Sequence, residues 1–196
     1  MRKLLFITLI SIMVISLMSG CGKKEPYVYA GVELLENGNM EEGEPGDPLP
    51  SGWGKWGQGA TEEQLGHITY ITDSEDDNSY IKIDTITKEN NFIYAYQSIE
   101  NNIPKGKKLK LTVKIKTENL TGGGAAIAIR CNVKGKAAQF VSTQWKIPIE
   151  GTKDWTTYTV ELNERVRSDI ESITAFLLFT SDTSGTVYFD DASLIY

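Results

Sequence analysis

The chain has 196 residues, 26 of them acidic and 20 basic, with one histidine and a net charge of −6. An acidic surplus argues against nucleic acid or an anionic membrane surface as the main partner, since both carry charge of the same sign. With 40% hydrophobic and 23% charged residues the chain can bury a core, and its length allows about one domain, at ~100–200 residues each.

The chain opens on Met1-Arg2-Lys3, and residues 4–18 are apolar apart from Thr8, Ser11 and Ser16. A basic start, an apolar run and small residues at a cleavage point are the parts of a secretory signal. The run is shorter than the roughly 20 residues a membrane-spanning helix needs. Ser19-Gly20-Cys21 resembles a bacterial lipobox, with Met18 where leucine is more usual. Small residues admit a peptidase, and the Cys21 thiol can accept diacylglycerol. Residues 1–20 are therefore expected to be a lipoprotein signal peptide, and Cys21 the lipidated residue, palmitate being among its acyl chains. Residues 21–29 form a tether beginning with the polar Gly22-Lys23-Lys24-Glu25-Pro26. The domain, 30–196, is then expected at the extracytoplasmic face of the cell membrane, held by the lipid alone. With Cys21 acylated, Cys131 has no partner for an internal disulfide. It runs in phase with Ile127, Ile129 and Val133 and reads as a small buried hydrophobe.

Past the tether, alternation of apolar and polar residues replaces helical periodicity, the pattern of half-buried strands. In chain order, strands are expected at 27–35, 68–72, 81–83, 92–99, 109–115, 125–133, 140–145, 158–162, 174–179 and 187–195. The clearest is Leu109, Leu111, Val113 and Ile115 against Lys110, Thr112, Lys114 and Lys116. Turn residues separate the runs, among them Gly122-Gly123-Gly124, Gly135, Gly151 and Ser184-Gly185. About ten short strands with one apolar face predict an all-β fold, a two-sheet antiparallel β-sandwich. The segment 41–59, rich in glycine, proline and acid, reads as an irregular surface excursion.

Catalytic signatures are scarce. His67 is the one histidine, so any Ser-His-Asp or Cys-His arrangement has to run through it. There is no nucleophile elbow, phosphate loop, HExxH or paired CxxC. A carboxylate pair for glycoside hydrolysis remains open, but most acids fall in loop clusters such as Glu41-Glu42-Gly43-Glu44, which are commonly solvated. No catalytic residue is assigned, and the expectation is a protein that is not an enzyme.

Two blocks of sequence carry a family resemblance. Near the start stands Leu34-Leu35-Glu36-Asn37-Gly38-Asn39-Met40-Glu41, followed by Pro50-Ser51-Gly52-Trp53. At the end stands Gly185-Thr186-Val187-Tyr188-Phe189-Asp190-Asp191-Ala192-Ser193-Leu194. Tyr96-Gln97-Ser98-Ile99 and Asp154-Trp155-Thr156-Thr157-Tyr158 lie between them in order. The arrangement resembles the jelly-roll carbohydrate-binding modules of families 4, 9 and 22, with Met40 in place of phenylalanine and Ala192 in place of valine. The resemblance covers roughly 32–195 and implies carbohydrate binding without catalysis. It also implies one structural calcium ion where the opening and closing segments meet, with Glu41, Asp190 and Asp191 as matching side chains and carbonyls near Gly38. Hard oxygen donors of this kind suit calcium, which takes 6–8 of them. Trp53 and Trp155 match positions that are structural in the family and are expected in the core.

The phase of the strands points to a binding face. On 92–99, Ile93, Ala95 and Ile99 share one side, which leaves Phe92, Tyr94 and Tyr96 on the other. On 125–133 the outward set is Ala126, Ala128, Arg130 and Asn132. Side by side, these strands would place two tyrosines next to a trough over the alanines, with Arg130 and Asn132 on its floor and Trp145 as a wall. Aromatic planes suit the apolar faces of sugars, and polar groups their hydroxyls. Trp56 reads as a loop or rim residue. The expected function is non-catalytic binding of a polysaccharide or cell-wall glycan. A structural or protein-interaction β-sandwich of the envelope is the alternative, and a small polysaccharide-degrading enzyme a third reading.

Overall fold

The computed structural model describes residues 27–75, 77–89 and 91–196. The signal peptide expected over 1–20 and the lipidation expected at Cys21 lie outside the described residues.

Among the described residues ten strands and one short helix follow in order: β1 Gly54–Trp56, α1 Glu62–Gly66, β2 Ile68–Asp73, β3 Asn78–Glu89, β4 Ile93–Ile99, β5 Lys110–Thr121, β6 Ala125–Asn132, β7 Gln139–Ser142, β8 Gly151–Glu161, β9 Ser172–Phe179 and β10 Thr183–Ile195. They form two five-stranded sheets, in the orders β1-β4-β9-β6-β7 and β2-β3-β10-β5-β8. Every pairing is antiparallel. The protein is an all-β two-sheet sandwich, as the alternating pattern requires. Inward residues of both sheets share one core, with Ile93, Ala95, Ile127, Ile129 and Leu177 on one side and Ile81, Ile83, Leu111, Val113 and Phe189 on the other. Each large apolar side chain buried there contributes on the order of 1.5–3 kcal/mol. Cys131 belongs to this core, and burial pushes its thiol up to about 11, so it stays protonated.

The opening and closing sequence blocks meet in space. The N–H of Ala192 donates to the Gly38 carbonyl at 2.8 Å. A Cβ on Gly38 would stand 2.0 Å from the Ala192 oxygen, so this contact admits glycine alone. Asn37 holds the turn by donating from Nδ2 to the carbonyls of Glu42 and Ser51. Trp53, buried as expected, donates from its indole to the Asn37 carbonyl.

Three local expectations need correction. Residues 27–35 form one isolated bridge, Glu33 to Ile195, instead of a strand. The Glu33 carboxylate accepts the N–H groups of Leu34, Leu35 and Leu194, beside backbone bonds from Gly31 to Tyr196 and from Leu34 to Leu194. The segment 41–59 is no mere excursion: Leu49 and Trp53 are buried, and β1 pairs with β4 at the edge of a sheet. Trp155 is 36% exposed and lies outside the core, on the outer face of β8. β8 is an edge strand whose register with β5 shifts twice, and its inward residues are Tyr158 and Val160.

Candidate functional site

The outer face of the β1-β4-β9-β6-β7 sheet carries the site. β4 alternates as the sequence indicates, with Ile93 and Ala95 fully buried and Tyr94 and Tyr96 turned to the opposite side. Gln97, on the inward side, is fixed by bonds with the backbone N–H and carbonyl of Glu36. Register then sets the outer neighbours in rows. Trp56 faces Tyr94, which faces Leu178, which faces Ala126. In the next row Gly54 faces Tyr96, then Phe176, Ala128 and Ser142. The third row runs Ser98, Thr174, Arg130, Phe140.

Four rings pave this face. Tyr94 is central, with its ring centroid 5.8 Å from Trp56, 6.1 Å from Tyr96 and 5.1 Å from Phe176. The contacts with Tyr96 and Phe176 are edge-on and that with Trp56 is tilted; edge-on ring pairs each contribute about 0.5–1.5 kcal/mol beyond burial. Glycine at position 54 lets Tyr96 lie across β1, because a Cβ there would stand 2.9 Å from its ring. Ala126 and Ala128 act differently from the open trough expected. Both are fully buried beneath Leu178, Tyr94 and Phe176, so their small size seats the rings rather than a ligand.

Above the rings lies an open groove of about 670 Å³, lined by Trp56, Phe92, Tyr94, Arg130, Phe140 and Phe176 among others. It continues into a depression of about 340 Å³ that adds Tyr96, Asn132 and Thr174 and shares Trp56, Tyr94, Arg130 and Phe176. Asn132 is oriented by donating from Nδ2 to the hydroxyls of Ser172 (3.0 Å) and Thr174 (3.4 Å). Burial, then the neighbouring Tyr96, push the Tyr94 phenol above its ordinary range while Arg130 opposes them. The phenol is therefore a neutral donor at physiological pH. Trp145 stands apart from the groove's lining residues, 89% exposed at positive φ in the turn after β7, although its neighbour Gln144 lines the groove. Of the groove aromatics, the sequence marks Trp56 only as a loop or rim residue and gives no sign of Phe140 or Phe176.

The three carboxylates expected to hold calcium divide. Asp190 is 5% exposed and accepts from Asn78 Nδ2 at 3.1 Å and from the N–H of Asp191 at 2.6 Å. Burial first, and then the charges of Asp191 and Glu41, push its carboxyl above the usual range, against the hydrogen bonds from Asn78 and Asp191. Glu41 accepts the N–H of Ser79 at 2.9 Å. Asp191 pairs with Lys114. A bulge between Asp190 and Ser193, with Asp191 at a φ of 45°, turns adjacent side chains to different partners. Among the described residues no group of three or more His, Cys, Asp and Glu side chains is arranged to hold a metal. The charges of Asp191 and Glu41 both bear on Asp190, and Lys114 is the cation that answers Asp191.

The opposite sheet has its own aromatic cluster, Tyr80, Trp155 and Tyr188, with centroids 5.5–6.4 Å apart. His67, in the turn between α1 and β2, contacts Asp84 of β3 at 3.3 Å, and Lys82 pairs with the same carboxylate.

No protein-family model and no curated protein sequence matches the chain. Solved structures match it in fold. The CBM22-1 xylan-binding domain from Paenibacillus barcinonensis Xyn10C gives a TM-score of 0.54 at 13% identity, over 86% of this chain and 97% of that one. A CBM61 module in complex with β-1,4-galactotriose gives 0.51 at 14% identity, over 83% and 97%. A cyclase from Fischerella sp. TAU gives 0.58 at 15% identity, over 84% and 96%. Larger proteins match in one part: this chain spans 22% of a bacteriophage CBA120 tailspike chain and 26% of an α-L-arabinofuranosidase chain. Identities this low show the fold alone. The chain is a β-sandwich of the architecture found in carbohydrate-binding modules, and the same architecture serves a cyclase.

Proposed function

We propose that this protein is a non-catalytic polysaccharide-binding lipoprotein, with the glycan lying along the groove over β1, β4, β9 and β6. The observation that carries this reading is the paving of one open face by Trp56, Tyr94, Tyr96 and Phe176, with Arg130 and Asn132 beside the rings. A pyranose presents apolar C–H faces and hydroxyl edges, and these residues supply a partner for each. The xylan-binding and galactotriose-bound neighbours support the choice of ligand class. The non-catalytic reading rests on the groove's chemistry. Among the described residues its lining includes no carboxylate, whereas glycoside hydrolysis commonly uses two, about 5–9.5 Å apart. Exposed Phe140 and Trp145 at the β7 end favour the alternative, a protein contact. A broad glycan array and retardation in polysaccharide-containing gels decide between them. Retention of the wild type, weakened in Tyr94→Ala, is expected; no binding to any glycan contradicts the proposal and leaves the protein-contact reading.

The same proposal puts the lipid on Cys21 and the domain on the extracytoplasmic face of the membrane. Cys21→Ser is expected to leave the membrane fraction and to lose labelled fatty acid. An unchanged distribution contradicts the anchor.

It also includes one structural calcium ion on Glu41 and Asp190, completed by backbone carbonyls. Because the carboxyl of Asp190 is raised when folded, its ionisation costs stability as pH rises through that value. A bound cation offsets this cost, so stabilisation by calcium is expected at pH 7 and fades at acid pH. A ligand at 100 times its Kd adds about 2.7 kcal/mol. Chelator is expected to lower the Tm of the wild type at pH 7 by several degrees and to leave Asp190→Asn unaffected. A wild-type curve indifferent to chelator contradicts the site.

A further inference from the structure

The charge pattern of the groove specifies more than a sugar. Among the described residues, those lining its two connected parts include Arg130 and no aspartate, glutamate or lysine. That is an unusual surface in a chain where acids outnumber bases 26 to 20. Arg130 is exposed. Among the described residues it makes no ion pair and no hydrogen bond, whereas Arg167 pairs with Asp169 and Arg165 donates to the Gly106 carbonyl. The fold therefore leaves one guanidinium without a counter-charge, beside the rings and inside the groove. A guanidinium presents planar, forked donors that match a carboxylate in two places at once.

Position agrees with chemistry. Arg130 lies on the outer face two residues along β6 from Ala128, which seats Phe176, so it stands about 7 Å along the strand from the ring row. When a pyranose lies with its face on an aromatic ring, its ring substituents extend sideways, toward the flank rather than the floor. A carboxylate at C5 of a uronic acid is such a substituent. Arg130 also joins the two parts of the groove, so a chain that fills both has to pass it.

Building on the polysaccharide-binding proposal, we infer that the groove selects an acidic glycan, one whose sugars carry uronate carboxylates, through Arg130. Neutral glycans meet the same rings but leave the guanidinium to water. The test compares one uronate polysaccharide with its carboxyl-reduced form, which keeps linkage and length and removes the charge, using the full-length protein. A charge-assisted contact of this kind corresponds to about tenfold in affinity. The native polymer is expected to bind about tenfold tighter than the reduced one. Arg130→Gln is expected to collapse that ratio toward one, and Arg130→Lys to restore part of it. Tyr94→Ala is expected to weaken both polymers by a similar factor and so preserve the ratio. Equal binding of native and reduced polymer by the wild type overturns the acidic-glycan inference and leaves polysaccharide binding intact. A sulfated polysaccharide bound tighter than any uronate overturns the carboxylate in favour of a sulfate ester. Failure to bind any of these polymers overturns both readings.

Discussion

The two outer faces of the sandwich are built from similar residues and end in different chemical states. Each carries a cluster of aromatic rings in contact, Trp56, Tyr94, Tyr96 and Phe176 on one sheet and Tyr80, Trp155 and Tyr188 on the other. On the second face several polar groups around the rings pair within the protein. The Tyr188 hydroxyl donates to Glu118 at 2.9 Å, Lys116 lies over the Tyr188 ring and pairs with Glu118, and Lys82 pairs with Asp84. Burial and then the Glu118 bond push the Tyr188 phenol up to about 12. On the first face, among the described residues, Arg130 is left unpaired over a groove that no acid lines. Exposed aromatics are thus common to a cluster held by its own polar partners and to the surface proposed to bind glycan. What separates the two is whether the polar partners are already used.

Mutation at matched positions should break this symmetry. The largest effect is expected at Tyr94, the ring in contact with three others. Losing its stacking surface should weaken polysaccharide binding by about 1–3 kcal/mol, or roughly 5- to 150-fold. Trp155→Ala on the opposite face is expected to lower stability by about 1–2 kcal/mol through lost ring contacts, read as a modest fall in Tm, and to leave gel retardation unchanged. A loss of stability near the ~3–5 kcal/mol of a core aromatic would return Trp155 to the core. Weakened glycan binding would make the second face a site as well.

What the sequence made legible follows from periodicity. β4 and β5 alternate cleanly, so the outward direction of Tyr94 and Tyr96 could be read from the residues between them. β9 could not be read this way. Ser172–Phe179 is apolar on both sides because its outer residues Phe176 and Leu178 cover Ala126 and Ala128, and without alternation Phe176 had no phase. Trp56 escaped because a strand of three residues, Gly54–Trp56, carries no period at all. The signal there was Gly54, whose missing side chain makes space for Tyr96. Asp190 and Asp191 were read as one pair of ligands, but a bulge is a register event that local sequence does not mark, and it sent them to different partners. The five-residue helix Glu62–Gly66 is too short for an apolar face, yet Thr61 and Gln64 form the capping box that announces it.

The central claim is that one aromatic face binds glycan and the other holds the fold. The most direct test is affinity electrophoresis of the wild type, Tyr94→Ala and Trp155→Ala in gels with and without the best-bound polysaccharide, each variant's Tm being measured alongside. The account predicts retardation lost in Tyr94→Ala and kept in Trp155→Ala. Equal retardation of both variants, or loss in Trp155→Ala alone, would contradict it.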